Sequence, residues 1–293
     1  MNYDISHITT IKYAQPVRLA RFNIRLEPAP WPHQSVSDYA LVVDPLPWTR
    51  TDEAGPFIVN ESKLLIRNPT AQLRIESRFS VSVEPSGIDY DIAEGPRVDV
   101  LRELALNLPG LGPLSPASYL FGSPVAVPEP EIATWAATIV DDAMCVVEAG
   151  RALMHAIHEQ FRYDKSATVS DTPPIDAFRQ KRGVCQDFAH IMIVAARSLG
   201  LPAAYVSGYL RTLPPPGKPR LVGADAMHAW ASLWCGEDLG WIGFDPTNDT
   251  FAETDHIFIA MGRDYSDVAP LDGVFVGRAE QCMDYSVDVA PAD

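Results

Sequence analysis

Cysteine is scarce in this chain: four residues among 293, at positions 145, 185, 235 and 282. They are too sparse to suggest a disulfide framework, and without a CxxC pair an ordinary structural zinc site lacks its ligands, so a reducing cytoplasm is the expected setting. Basic residues are also few. Lys and Arg number 23 against 38 Asp and Glu, for a net charge of −15. A nucleic-acid partner or an anionic membrane surface needs basic patches, so neither partner is expected. Long apolar runs are missing: nothing approaches the roughly 18 residues of a membrane helix. Met1 to Tyr13 carries Asp4 and His7 and no apolar run, so no secretory signal is expected. There is no internal repeat and no low-complexity tract. What remains is an ordinary globular composition, 47% hydrophobic and 21% charged, with enough length for about two domains. The 26 prolines point to loops and strand ends more than to long helices.

From Tyr3 to about Pro85 the pattern is strand-like. Ile5 to Ile11 is rich in β-branched residues. Leu64 and Ile66, Leu73 and Ile75, and Phe79, Val81 and Val83 alternate with polar neighbours, and Asn68-Pro69-Thr70 marks a turn. Short strands with turns and no helix predict a β-sandwich-like module over 1–85. Residues 86–130, broken by Leu108–Pro113 and Gly122–Pro124, read as an irregular connecting segment. A third region, 131–293, begins with helical stripes: Ile132, Trp135 and Ile139, then Leu153, Ile157 and Phe161. His155 and His158 lie on the second stripe. With no cysteine or carboxylate partner evident, they read as surface or packing histidines. A short helix over Asp176 to Lys181 follows. Strands are expected at Ala203–Leu210, His228–Trp234, Trp241–Asp245, His256–Met261, Val274–Val276 and Met283–Val289, with a loop at Pro214–Gly217. Helices followed by an antiparallel sheet make this region α+β.

The stretch GVCQDFAHIMIVAARSLGLP, Gly183 to Pro202, organises the rest. Phe188, Ile191, Met192, Ala195 and Leu199 share one face of a helix, which predicts burial along that side. Gly183 permits a tight entry and Gly200 with Pro202 a stop. Cys185 then lies in the first turn, where unpaired backbone N–H groups favour negative charge and so a thiolate. A thiolate nucleophile needs a base, and the base an orienting group. His228 opens one predicted strand and Asp245 closes the next. Placing them directly opposite leaves a four-residue connection, Cys235 to Asp238. A shift of two residues keeps both on one face, whereas a shift of one separates them. The hairpin is expected to present imidazole and carboxylate together toward Cys185.

These motifs resemble those of the bacterial transglutaminase-like family, whose members are described as cysteine proteases. The resemblance rests on GVCQDFAH (Gly183 to His190), RSLGLPAAYVSGYL (Arg197 to Leu210), HAW (His228 to Trp230), GWIGFDPTN (Gly240 to Asn248) and GRDYSDVAPLDGVF (Gly262 to Phe275). The opening ITTIKYAQPVRLARFNIRLEP (Ile8 to Pro28) is similar to the family's β-rich N-terminal domain. The resemblance covers nearly the whole chain and is weakest over Ser86 to Pro130. It implies a papain-like transglutaminase core, with Cys185 as nucleophile, His228 as base and acid, and Asp245 as the orienting carboxylate. It implies no metal and no organic cofactor. The reaction implied is acyl transfer on a peptide or protein amide, by hydrolysis or with an amine acceptor. A non-catalytic interaction module on the same fold is the alternative of another class. The oxyanion would be met by the backbone N–H of Cys185 and by a side chain, Tyr163 in preference to Gln180. Asp264 and Tyr265 either line the cleft or shape a turn, and Gln186 and Asp187 support the first helical turn. Two positions depart from the family pattern. Ser232 replaces an acid in the HAWAE run, and Ala54 to Ile58 lacks the Gly-Asn pair of the first domain.

Overall fold

The computed structural model describes residues 1–93, 95–212 and 225–292. The loop expected at Pro214–Gly217 lies outside them. The first strands are β1 (Asn2–Val17), β2 (Ala20–Ile24), β3 (Gln34–Asp44), β4 (Thr49–Ala54), β5 (Asn60–Ile66) and β6 (Thr70–Val83). Helices α1 (Val98–Asn107), α2 (Pro130–Ala137) and α3 (Val146–Gln160) follow. Then come β7 (Arg162–Tyr163), α4 (Pro174–Gln180), β8 (Arg182–Gly183) and α5 (Cys185–Ser198). The remaining elements are β9 (Ala203–Leu210), β10 (Met227–Trp234), β11 (Trp241–Asp245), β12 (Thr250–Phe251), β13 (His256–Gly262), α6 (Tyr265–Val268), β14 (Leu271–Phe275) and β15 (Gln281–Ala292).

Among the described residues the N-terminal strands form two four-stranded sheets, β15-β1-β6-β3 and β14-β2-β5-β4. Ile11, Val43, Leu73 and Ile75 of one sheet meet Phe22, Ile24, Leu64 and Ile66 of the other in a single apolar cluster. That is the sandwich expected from the period-two pattern. One boundary differs. Residues 271–292, expected within the 131–293 region, pair with the first module. β14 runs antiparallel to β2 from Leu271↔Ile24 to Phe275↔Ala20, and β15 to β1 from Asn2↔Ala292 to Tyr13↔Gln281. Without them β1 and β2 would each be an edge strand with unpaired backbone groups.

The connecting segment is also more ordered than its sequence suggests. Val98, Leu101 and Ala105 of α1 are buried in the main core. The helix is short and runs straight into Leu108-Pro109-Gly110, so the breakers dominate a local reading. The first stripe of the third region ends early: α2 stops at Ala137, and Ile139 lies in the turn beyond it.

Among the described residues the second module forms a five-stranded antiparallel sheet, β12-β11-β10-β9-β13, with α5 against β10 and β9. The expectation for α5 was a helix buried along one side. Instead every residue from Asp187 to Arg197 is buried, because α2, α3 and α4 pack on the flanks the sheet leaves open. A helix apolar nearly all round is a core helix. Packing is close enough to be tested at Gly150 on α3. A Cβ there would lie 2.6 Å from two ring atoms of Phe244 and 2.9 Å from a methyl of Leu233. Gly150→Ala gains about 1 kcal/mol of helix propensity, but overpacking against the fully buried Phe244 costs about 1–3 kcal/mol. The expected result is a lower urea midpoint, with Cys185 reactivity reduced as well because Phe244 precedes Asp245.

The two modules are stitched along β13, the outer strand of the second sheet. Gln34 accepts from the Phe258 N–H through Oε1 and donates to the Phe258 carbonyl through Nε2, both at 2.8 Å. The Ala29 N–H donates to the Ile259 carbonyl, and Ile58 forms a bridge with Met261. The first module thus covers an edge that would otherwise stand exposed.

Candidate active site

The helix start is built by Asp187. Its buried carboxylate accepts from the Val184 N–H at 2.8 Å and the Thr168 hydroxyl at 2.6 Å. Burial pushes this carboxyl above its ordinary value, and the two hydrogen bonds only partly offset that. Gly183 matters here for space, since a Cβ would stand 2.6 Å from Asp187 Oδ2. Gln186 donates to the Ser170 carbonyl at 2.9 Å and ties the preceding loop to the same turn. Cys185, the first residue of α5, is a free, half-buried thiol.

β10 and β11 pair with Ala231 opposite Phe244 and Trp234 opposite Trp241. This register is shifted by two residues from the one that sets His228 directly opposite Asp245, and the connection is correspondingly longer. Parity is kept, so both side chains share a face and meet diagonally. His228 Nε2 lies 2.7 Å from Asp245 Oδ2. The imidazole is also in hydrogen-bonding contact with Cys185. With Nε2 committed to Asp245, the nitrogen left for sulfur is Nδ1. Burial alone pushes His228 down, but hydrogen bonds and charge from Asp245 and Cys185 outweigh it and raise the ring well above the usual histidine value. Asp245 has no exposed surface. Burial pushes its carboxyl up, yet the hydrogen bonds and charges of His228 and His256 hold it far below the carboxylate range.

His256 is the residue that the sequence reading passed over. Its Nε2 lies 3.1 Å from Asp245 Oδ2, and its Nδ1 accepts from the Glu253 N–H at 3.4 Å. Asn248 Nδ2 donates to the same Oδ2 at 2.6 Å, while the Thr247 and Asn248 N–H groups reach Oδ1 at 3.0 and 3.3 Å. Locally His256 is only the first residue of an apolar strand, and β10 and β9 separate β13 from β11. Flat strands about 4.8 Å apart would leave roughly 14 Å between them, so the contact exists because the sheet curls and the chain after Asp245 crosses its end. His155 and His158 have a structural part in this. The first bonds Asp249 at 2.8 Å and the second the Thr247 carbonyl at 3.1 Å, so α3 pins the turn that follows Asp245.

Residues 133–246 match the transglutaminase-like superfamily, and residues 3–82 match the bacterial transglutaminase-like N-terminal region. An uncharacterized protein of Mycobacterium tuberculosis is 34% identical over 296 residues, covering 99% of this chain and 92% of its own. The chain belongs to the transglutaminase-like superfamily. A protein-glutamine gamma-glutamyltransferase of Pseudomonas aeruginosa is 34% identical over 93 residues, which is 31% of this chain and 14% of that one. In overall fold the chain is similar to the crystal structure of a putative cysteine protease from Cytophaga hutchinsonii. That match has a TM-score of 0.74 and 22% identity, and covers 100% of this chain and 92% of the other.

The remaining residues read from the sequence fall around this transglutaminase-like centre unevenly. Tyr163, on β7, is 47% exposed. Burial raises its phenol, and Cys185 and Tyr285 are near enough for their charges to add to that. Tyr205, buried on β9, feels the same thiol. Gln180 is exposed at the end of α4, and the Gln186 amide is spent on Ser170. Asp264 has no exposed surface and shapes a turn. It caps α6 through the Ser266 N–H at 2.9 Å and accepts from the Val125 N–H at 2.7 Å. The Tyr265 N–H donates to His190 Nε2 at 3.2 Å. His228, Asp245 and His256 offer three atoms within 4.8 Å of one another, the donor types of a divalent-metal site. Here each imidazole Nε2 faces an ionised oxygen through a proton, which a metal would have to displace. Among the described residues no helix is long and apolar enough to cross a membrane.

Proposed function

We propose that this protein is a cysteine-dependent acyl-transfer enzyme acting on amide bonds of a peptide or protein, with hydrolysis as its main outcome. The observation that carries this reading is the imidazole of His228, held between a half-buried thiol and a fully buried carboxylate. Cys185 gives its thiol proton to His228 Nδ1, and the sulfur attacks the amide carbonyl, the carbonyl π bond opening as the carbon–sulfur bond forms. The oxyanion is met by the Cys185 N–H, which has no partner within the first helical turn, and by the Tyr163 hydroxyl. As the carbon–nitrogen bond breaks, His228 gives the leaving amine its proton. Water, deprotonated by the same imidazole, then attacks the thioester, releasing a carboxylic acid and restoring the thiol. Asp245 keeps the ring oriented with Nδ1 toward sulfur and stabilises its cationic form. No metal or organic cofactor takes part in these steps.

A second reading, transfer of the acyl group to an amine, is favoured by the identity shared with the Pseudomonas glutamyltransferase. Fluorescent casein and dimethylcasein with a biotinylated alkylamine separate the two. Peptide release without biotin incorporation is expected; incorporation without release would establish transfer. Neither product, together with no preference of iodoacetamide for Cys185 over Cys145, Cys235 and Cys282, would leave an interaction module.

A further inference from the structure

We propose that His256 is a positioning residue for the acyl-transfer site, acting as a hydrogen-bond donor through Nε2 that aims Asp245 and limits how strongly it holds the His228 proton. The inference rests on the reading of Cys185, His228 and Asp245 given above. Its basis is the arrangement of donors. Asp245 Oδ2 faces His228 Nε2 at 2.7 Å, Asn248 Nδ2 at 2.6 Å and His256 Nε2 at 3.1 Å. An ionised oxygen only accepts, so both imidazoles present Nε2–H to it. For His256 that tautomer is set from the other side, because its Nδ1 accepts from the Glu253 N–H at 3.4 Å.

The donor is held by the connecting segment. The Glu253 carboxylate accepts from the Ser86 hydroxyl at 2.6 Å and the Tyr90 hydroxyl at 2.5 Å. The Trp230 ring stands edge-on to His256 at 5.1 Å, and the His256 side chain is 5% exposed. The segment before the catalytic core therefore reaches the reacting groups through Glu253, His256 and Asp245.

The electrostatic consequence has a definite sign. The positive end of an N–H dipole beside Oδ2 offsets part of the carboxylate charge felt by His228. Without that donor the imidazolium is bound more tightly and loses its proton at higher pH. The charged and titratable groups facing this pair are Cys185 on α5, Asp245 on β11 and His256 on β13, with Glu253 behind His256 and Tyr163 and Tyr205 around the thiol.

Two substitutions of similar polarity separate positioning from packing. A glutamine amide reaches the place of Nε2, whereas an asparagine amide reaches only that of Nδ1. The rate of Cys185 alkylation by iodoacetamide is followed from pH 4 to 10 in the intact protein, beside turnover of fluorescent casein. His256→Asn is expected to move the upper inflection of the alkylation profile up by about half a unit and to slow turnover about tenfold. His256→Gln is expected to keep the native inflection and turnover within about twofold. Equal shifts in both variants, or a native profile in folded His256→Asn, overturn the proposal. Should His256→Asn not fold, nitrogen-15 spectra of native protein decide instead. A ring that carries its proton on Nε2 supports the proposal, and the Nδ1–H tautomer overturns it. If native Cys185 shows no selective alkylation, the acyl-transfer reading fails with it; selective alkylation with an unshifted variant defeats only the role of His256.

Discussion

Cys185→Ala is expected to abolish amide turnover, by about 10⁴-fold or more, while leaving the fold within about 1 kcal/mol of native stability. The two halves of this expectation come from different parts of the structure. The thiol stands at the first residue of α5, half-buried, whereas the residues that hold the helix in the core begin at Asp187. Removing one sulfur there empties little volume, and alanine is the best helix former. The chemistry has no substitute. Cys235 is fully buried and its thiol is pushed upward by burial, while Cys145 accepts from the Glu148 N–H at a different helix start. The checks are casein turnover and a urea midpoint measured on one preparation. Retained turnover would remove Cys185 as nucleophile, and a large drop in midpoint would make its thiol structural.

Asp245 is expected to give the largest loss of stability. Asp245→Leu strips the acceptor from two imidazoles, the Asn248 amide and two backbone N–H groups, all packed around a side chain with no exposed surface. Breaking a buried, charged network at one partner costs about 3–5 kcal/mol, a large share of a domain's total stability. Asp245→Asn keeps the shape and one acceptor oxygen. It should fold, but with about 10²–10⁴-fold slower turnover, because an amide N–H set against Nε2–H disfavours the productive tautomer.

The pH dependence follows from the same pair. Asp245 is held below its ordinary value, so its contribution to stability is complete above about pH 4 and declines as the pH falls further. His228 is raised, so its contribution is complete below about pH 6.5 and is lost as the pH rises through its higher folded value. Urea midpoints of the native protein should therefore fall at both extremes. In Asp245→Asn the acid-side decline should be shallower. An unchanged acid limb in that variant would remove Asp245 as a source of it.

Most of this architecture is written in local pattern. The alternation around Leu64, Leu73 and Phe79 is that of strands with one face buried, and those residues face a core in the sandwich. Cys185 is at a helix start because the apolar run begins just after it and Asp187 can reach back to Val184. His228 and Asp245 share a face because strand parity is the same in the directly opposite register and in the one two residues away that the hairpin adopts. Tyr163, the oxyanion candidate that the resemblance suggests, feels the charge of the Cys185 thiol, which does not test a role as donor.

What local pattern does not carry is who lies beside whom over long separations. β15 has the alternation of any half-buried strand, and nothing near it says that it completes the sheet of β1 from the opposite end of the chain. The apolar stripe of α5 shows one buried side; the other sides are buried because α2, α3 and α4 close over them. His256 opens a strand and looks like any histidine at a strand end, until sheet curvature and the crossing after Asp245 set its Nε2 against a carboxylate eleven residues earlier. Periodicity decides which way a side chain faces within its own element, and this chain's thiol, imidazole and carboxylate could be read from that. Which distant groups share a buried oxygen is decided by curvature and docking, which arise only when the whole chain packs.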